Sequence, residues 1–76
     1  MLSAIREAIA QGDDEALARA AHRLKGSVGN FGARRAVEAA LRLEDMGREG
    51  DLSGAEEGYQ MLETGIEHFI EALGQL

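Results

Sequence analysis

Cysteine, proline and tryptophan are all missing from this 76-residue chain, and only three aromatic residues are present. Without cysteine there are no disulfides, thiolate metal ligands or cysteine nucleophiles, so the fold must rest on packing alone. No apolar run reaches the roughly 20 residues that a membrane span requires. The abundance of Ala, Leu, Glu and Arg favours helices over strands. The length allows a single core, so we expect one all-α domain over residues 1–76.

Basic residues are also scarce, with 8 Lys and Arg against 14 Asp and Glu and a net charge of −6. This balance argues against general binding to nucleic acid or to anionic membranes, and we expect neither contact from this domain. The first residues show no signal-peptide pattern, so we expect a cytoplasmic location, with tethering of a parent protein left open. Residues 19–48 depart from the average, because their seven basic and three acidic side chains give a local net charge of +4.

Apolar residues recur at spacings of three and four, which predicts amphipathic helices. The first predicted helix runs from about 2 to 11, the second breaks near 30–32, and the third ends in the turn-forming segment 47–51. A fourth follows to the end of the chain. Because each apolar stripe must meet another, we predict an antiparallel four-helix bundle with up-and-down topology.

Residues at the predicted helix ends support these boundaries. Gly12 suits the left-handed position after the first helix, and Asp13 can then cap the second. Ser53 is predicted to open the fourth helix, since Glu56 follows it at the spacing of a capping box. The stripe predicted to face the core from the third helix consists of Ala33, Val37, Ala40, Leu41 and Glu44.

Ten glycines are unusual in a chain with so helical a pattern. Four of them sit at predicted helix ends or in turns, namely Gly12, Gly32, Gly47 and Gly50. Conformational freedom explains these four without a function. Gly26 and Gly29 instead lie inside the second helix, where each costs about 1 kcal/mol relative to alanine. The other four, for which close packing is the plain interpretation, are Gly54, Gly58, Gly65 and Gly74.

His22 lies on the exposed side of the second helix. At about 100° per residue, its side chain points about 140° away from Leu17, which marks the core direction. The residues around it on this flank are Ala18, Lys25, Gly26 and Gly29. Because its neighbours are small, a large partner could approach the ring. Lys25 at i+3 can reach a group attached to the ring, and Arg19 at i−3 is a second candidate.

An exposed imidazole beside a lysine predicts a phosphoryl acceptor, because imidazole is nucleophilic near neutral pH and lysine is a suitable point charge for phosphate. A metal site is less attractive, since His68 is the sole other histidine and no close carboxylate cluster accompanies His22. Ser27 points about 140° away from His22, so a serine triad lacks its base.

Two other functions stay open at this point. In one, the glycine-lined flank packs against a partner helix in a non-catalytic interaction module. In the other, Arg34 and Arg35 follow the break after the second helix in a DNA-binding helix-turn-helix, a weaker interpretation for so acidic a chain.

The run His22-Arg23-Leu24-Lys25-Gly26-Ser27, followed by Gly32-Ala33, resembles the signature of histidine phosphotransfer (HPt) domains. These helical modules relay phosphoryl groups in multistep two-component signalling. The resemblance implies that His22 is phosphorylated on the ring nitrogen farther from the backbone, that Lys25 steadies the phosphate, and that Gly26 leaves room for the partner. We expect supporting roles at Ala18, Arg19, Arg23, Ser27, Gly29 and Gly32.

The resemblance also implies the partners. The phosphoryl group would be exchanged with the aspartate of a response-regulator receiver domain, whose Mg²⁺ serves the reaction. The chain itself shows no phosphate-binding loop and no acidic metal cluster beside His22, so we expect a phosphocarrier that binds no cofactor or metal, rather than an enzyme. A free-standing carrier and a fragment of a hybrid sensor histidine kinase are both compatible with this prediction. The basic segment 19–48 suits an acidic receiver pocket.

Overall fold

The computed structural model describes residues 2–30 and 33–74, without the side chains of residues 72 and 73. The described residues form four helices and no strand. The helices are α1 (Leu2–Gln11), α2 (Asp14–Gly29), α3 (Arg34–Glu49) and α4 (Ala55–Gly74). None of the helices in this part of the chain is long and apolar enough to cross a membrane.

The helices pack in the order in which they occur in the chain. Each helix contacts the next, α4 returns to α1, and among the described residues the diagonal pairs α1 with α3 and α2 with α4 make no close backbone contact. On the α1–α4 side, the Arg6 guanidinium stacks over the Tyr59 ring and pairs with Glu56 at 3.4 Å. The predicted up-and-down four-helix bundle is therefore confirmed.

Two of the predicted helix ends are confirmed in detail. Asp13 caps α2, because its side chain accepts a 3.1 Å hydrogen bond from the amide of Ala16. Gly12 and Gly50 adopt left-handed backbone conformations, with φ of 65° and 71°, directly after α1 and α3. In this conformation a side chain would clash with the backbone, so glycine is favoured at both turns.

Two other boundaries were wrong. Gly47 belongs to α3, which continues to Glu49, so its place in a turn is a wrong prediction. Helix α4 begins at Ala55, and Ser53 lies in the preceding turn rather than opening the helix. Both the amide and the hydroxyl of Ser53 donate to Asp51 Oδ1, at 3.1 and 2.7 Å. The Asp51 carboxylate thus organises this turn, and the spacing of Ser53 to Glu56 is coincidental.

Each helix contributes one large aliphatic side chain that is 0% exposed, and these are Ile5, Leu17, Leu43 and Leu62. Leu41, predicted to face the core from α3, is 44% exposed. The buried side of α3 is lined mainly by small residues, namely Ala36, Ala39, Ala40 and Gly47. Because α3 packs between α2 and α4, its buried arc follows these small residues and turns Leu41 outward.

Glycines allow the neighbouring helices to approach α3 closely. A Cβ added to Gly65 would lie 2.8 Å from the backbone nitrogen of Ala36, and one added to Gly58 would lie 3.0 Å from Cδ2 of Leu43. The atom nearest to Gly65 belongs to the backbone, so glycine is required there for the observed packing of α4, whereas a side chain at position 58 would force the Leu43 side chain to shift by a few tenths of an ångström. Close packing therefore explains Gly58 and Gly65.

Candidate functional site

His22 lies on the outer face of α2, and its side chain is 64% exposed. The core side of the same helix is formed by Leu17, Ala21 and Leu24. The exposed position predicted from helical periodicity is therefore observed. The ring is tethered at one nitrogen: Nδ1 lies 2.8 Å from Oε2 of Glu44. Within residues 2–30 and 33–74, Nε2 has no hydrogen-bond partner.

Glu44 lies at the centre of a cluster formed by the side chains of His22, Lys25, Glu44 and Arg48. Its own side chain is only 1% exposed. Oε1 accepts a 2.7 Å hydrogen bond from Lys25 Nζ, and Oε2 accepts one of the same length from the Arg48 guanidinium. Helix α2 supplies His22 and Lys25, three residues apart, and α3 supplies Glu44 and Arg48, four residues apart. Both spacings place side chains on one helical face, so the α2–α3 interface assembles the cluster.

The surroundings of Glu44 keep it ionised. The hydrogen bond from Lys25 lowers the pKa of Glu44 below its ordinary value of 4.5, against the opposing effect of burial. The hydrogen bond from His22 and the positive charges of Arg48 and Lys25 lower the pKa further. A buried carboxylate is costly unless it is paired, and here three donors satisfy it.

The ionised carboxylate determines which ring nitrogen of His22 carries the proton. A carboxylate can only accept hydrogen bonds, so Nδ1 must be the donor. In the neutral imidazole, Nε2 then has a free lone pair and is directed away from Glu44. The same relationship between a carboxylate and an imidazole orients the histidine of a serine-protease triad.

An open groove runs beside the ring, and its lining residues are Ala18, Arg19, His22, Arg23, Glu44 and Arg48. The three arginines are exposed, whereas the carboxylate of Glu44 is already shared among its partners. Arginine presents its donors in a planar fork that suits phosphate and carboxylate oxygens. The groove is consequently suited to an anionic group placed next to His22.

Gly26 leaves the other side of the ring open. It is exposed, and a Cβ added there would have no atom within 4 Å. Gly29, at the end of α2, borders α3, where its added Cβ would lie 3.9 Å from Cγ2 of Val37. Packing therefore does not explain glycine at position 26, which costs helix stability.

Two further expected supporting residues are Ser27 and Gly32. The Ser27 hydroxyl donates to the carbonyl oxygen of Arg23, at 3.4 Å, within its own helix. Gly32 lies outside the described residues, so its role stays a prediction.

Glu44 and Arg48 are the two members of the cluster that were not identified from the sequence. The signal for Glu44 was present, because a charged residue occupied a stripe predicted to face the core. Its partner could not be inferred, because His22 is 22 residues away along the chain and on another helix. Within the described residues, no group of three or more His, Asp or Glu side chains could hold a metal ion.

A comparison of the sequence with family models identifies the family of this chain. The family model described as Hpt domain matches residues 1–75. Comparisons with curated proteins and with solved structures gave no match. Domains of this family carry phosphoryl groups in phosphorelays, interact with receiver domains and have no catalytic site of their own. Because the match spans nearly all 76 residues, the chain belongs to the Hpt domain family.

Proposed function

We propose that this chain accepts a phosphoryl group on Nε2 of His22 from the aspartyl phosphate of one receiver domain and passes it to the aspartate of another. The observation that carries the proposal is the hydrogen bond from Nδ1 to the buried carboxylate of Glu44, at 2.8 Å, on a ring that is 64% exposed. A nucleophilic nitrogen that faces outward is what a transfer between two proteins requires.

The transfer step exchanges one bond to phosphorus for another and consumes no other reactant. The lone pair of Nε2 attacks phosphorus, the N–P bond forms, and the P–O bond to the aspartate breaks with its electron pair on the departing carboxylate. The ring keeps its Nδ1 proton and becomes positively charged. Glu44 is already hydrogen-bonded to that proton, so its charge stabilises the phosphorylated ring. The reverse sequence of bond changes delivers the phosphoryl group to the second receiver.

Cations beside the ring would neutralise the incoming phosphoryl group. Lys25 is one helical turn from His22. Its side chain pairs with Glu44 and is 30% exposed. Arg48 reaches the same carboxylate from α3 and is 65% exposed. Both can turn donors toward a phosphoryl group on Nε2 without leaving Glu44, since ammonium and guanidinium groups have several N–H donors. We assign the steadying of the phosphate to Lys25, assisted by Arg48.

The receiver domain would provide the parts that this chain does not carry. Phosphoryl transfer needs in-line positioning and a metal ion, and the Mg²⁺ would be held by the receiver. Exposed Gly26 gives that domain room beside the ring. The local net charge of +4 over residues 19–48 would speed its encounter with an acidic pocket. A hybrid sensor kinase is the proposed source of the phosphoryl group, and the cytoplasm the proposed location.

Phosphotransfer from a ³²P-labelled receiver domain tests the function. We expect label on the wild-type chain, in a form that is labile to acid and stable to base, as a phosphohistidine is. His22→Gln should take up no label. His68→Gln is the matched control, because it removes the other histidine, which is exposed on α4, and it should be labelled like the wild type. Label on His22→Gln would rule out the assignment and favour a non-catalytic interaction module.

A further inference from the structure

Gly47 lies in α3 at a close approach to α2. Among the described glycines, an added Cβ would meet its nearest neighbour at the shortest distance here. A Cβ added there would lie 2.6 Å from the backbone nitrogen of Ala18 and 2.7 Å from the carbonyl oxygen of Asp14. Both neighbours are backbone atoms of α2, so no side-chain rotation can relieve the clash. Ordinary contact of a Cβ begins at 3.4 Å, and an alanine would therefore push the helices apart by about 0.8 Å, the difference between 3.4 and 2.6 Å.

This contact lies one helical turn from the phosphoryl-accepting ring. Ala18 precedes His22 by four residues on α2, and Gly47 follows Glu44 by three on α3. The close contact and the hydrogen bond from His22 to Glu44 are therefore neighbouring contacts of the same interface. If a shift of about 0.8 Å were added to the 2.8 Å bond, the separation would exceed hydrogen-bonding distance.

We propose that Gly47 is a positioning residue for His22. Its missing side chain sets the separation of α2 and α3 at which Glu44 holds the Nδ1 proton and directs Nε2 outward. Gly47 itself touches neither the ring nor the phosphoryl group and acts through Glu44. The consequence for transfer rests on the proposed function, whereas the consequence for the ring proton does not.

The test compares Gly47→Ala with Gly65→Ala. The control introduces the same kind of clash at the α3–α4 interface, because a Cβ at position 65 would lie 2.8 Å from the backbone nitrogen of Ala36. Ala36 precedes Glu44 by eight residues on α3. The ring nitrogens are observed by ¹⁵N NMR, and His68 serves as an internal reference in the same spectrum. Phosphoryl uptake from a labelled receiver is measured in parallel.

In the wild type and in Gly65→Ala we expect the ¹⁵N pattern of a single Nδ1–H tautomer at His22, and uptake rates within about twofold of each other. In Gly47→Ala we expect a mixture of tautomers and a rate lower by on the order of 10²-fold, the effect of a displacement of about 1 Å on a reacting group. If Gly47→Ala is partly unfolded, all three proteins are compared in trimethylamine N-oxide at a concentration where circular dichroism shows them folded.

A wild-type tautomer pattern and rate in Gly47→Ala would overturn the positioning role, and so would equal losses in the two variants. Absence of uptake by the wild type, together with a tautomer change confined to Gly47→Ala, would refute the proposed function but support the role of Gly47 in holding the ring.

Discussion

Nδ1 of His22 lies 2.8 Å from Oε2 of Glu44, which joins an exposed side chain of α2 to the one charged side chain buried in α3 among the described residues. The ring is exposed to a partner, yet its Nδ1 is held by a carboxylate inside the bundle. An exposed side chain usually has no fixed orientation, because a mobile ring samples many rotamers. Here the buried carboxylate orients the ring.

Glu44→Leu should separate function from stability. Replacing a buried ionic group by an apolar one of similar volume is often nearly neutral, and the freed Lys25 and Arg48 retain access to water. Phosphoryl uptake should fall about 10- to 100-fold, since a hydrogen bond to a charged group contributes about 1.5–3 kcal/mol. Urea unfolding and uptake kinetics check both expectations. Glu44→Gln, which retains a carbonyl acceptor, should give an intermediate rate, and wild-type uptake by Glu44→Leu would contradict the orienting role.

The stability of the fold should depend on pH through Glu44. Its pKa is lower in the folded state than the ordinary value of 4.5, so its stabilising contribution is fully present above that value. As the pH falls through the folded-state pKa, the carboxylate is protonated and the contribution is lost. Urea unfolding from about pH 6 to about pH 3 should show this decline, and Glu44→Gln should show a shallower one. Parallel profiles for the two proteins would exclude Glu44 as the source.

Gly26 should matter for docking and not for folding. Gly26→Ala should raise the free energy of unfolding by about 0.5–1 kcal/mol, because alanine is the better helix former and its Cβ meets open space. Gly26→Glu should leave the circular dichroism spectrum unchanged but slow transfer strongly, because its side chain would stand on the face that the receiver approaches. Equal transfer rates for the alanine and glutamate variants would count against an open docking face.

Lys25 and Arg48 should differ in their effect on the phosphorylated form. Lys25→Gln should reduce phosphoryl uptake by about tenfold and shorten the lifetime of the phosphohistidine, since it removes a charge-assisted hydrogen bond beside the ring. Arg48→Gln should have a smaller effect, because Arg48 is the more exposed of the two. Loss of label after removal of the receiver measures the lifetime. A larger effect at Arg48 would reverse the assignment of the two cations.

Most of the bundle could be predicted from local patterns. Helix α1 was predicted over its observed range, and Asp13 caps α2 as expected. The start of α4 could not be predicted in the same way. The Ser53 hydroxyl donates to Asp51 in the preceding turn instead of capping α4, and the capping-box spacing does not reveal this. The end of α3 was also predicted too early, at Gly47. Sequence alone does not distinguish a glycine that permits close helix packing from a glycine that forms a turn.

Helical periodicity along α2 is a property of consecutive residues, so the exposure of His22, the proximity of Lys25 and the bare surface at Gly26 were all accessible from the order of amino acids. The pairing of His22 with Glu44 depends on two helices, and it exists because Gly47 and Ala18 let those helices approach. Periodicity assigns a residue to a face, but the distance and rotation between two faces are set by how all the side chains pack. For that reason the proposed nucleophile could be identified along one helix, whereas the carboxylate that is hydrogen-bonded to it was revealed by the fold.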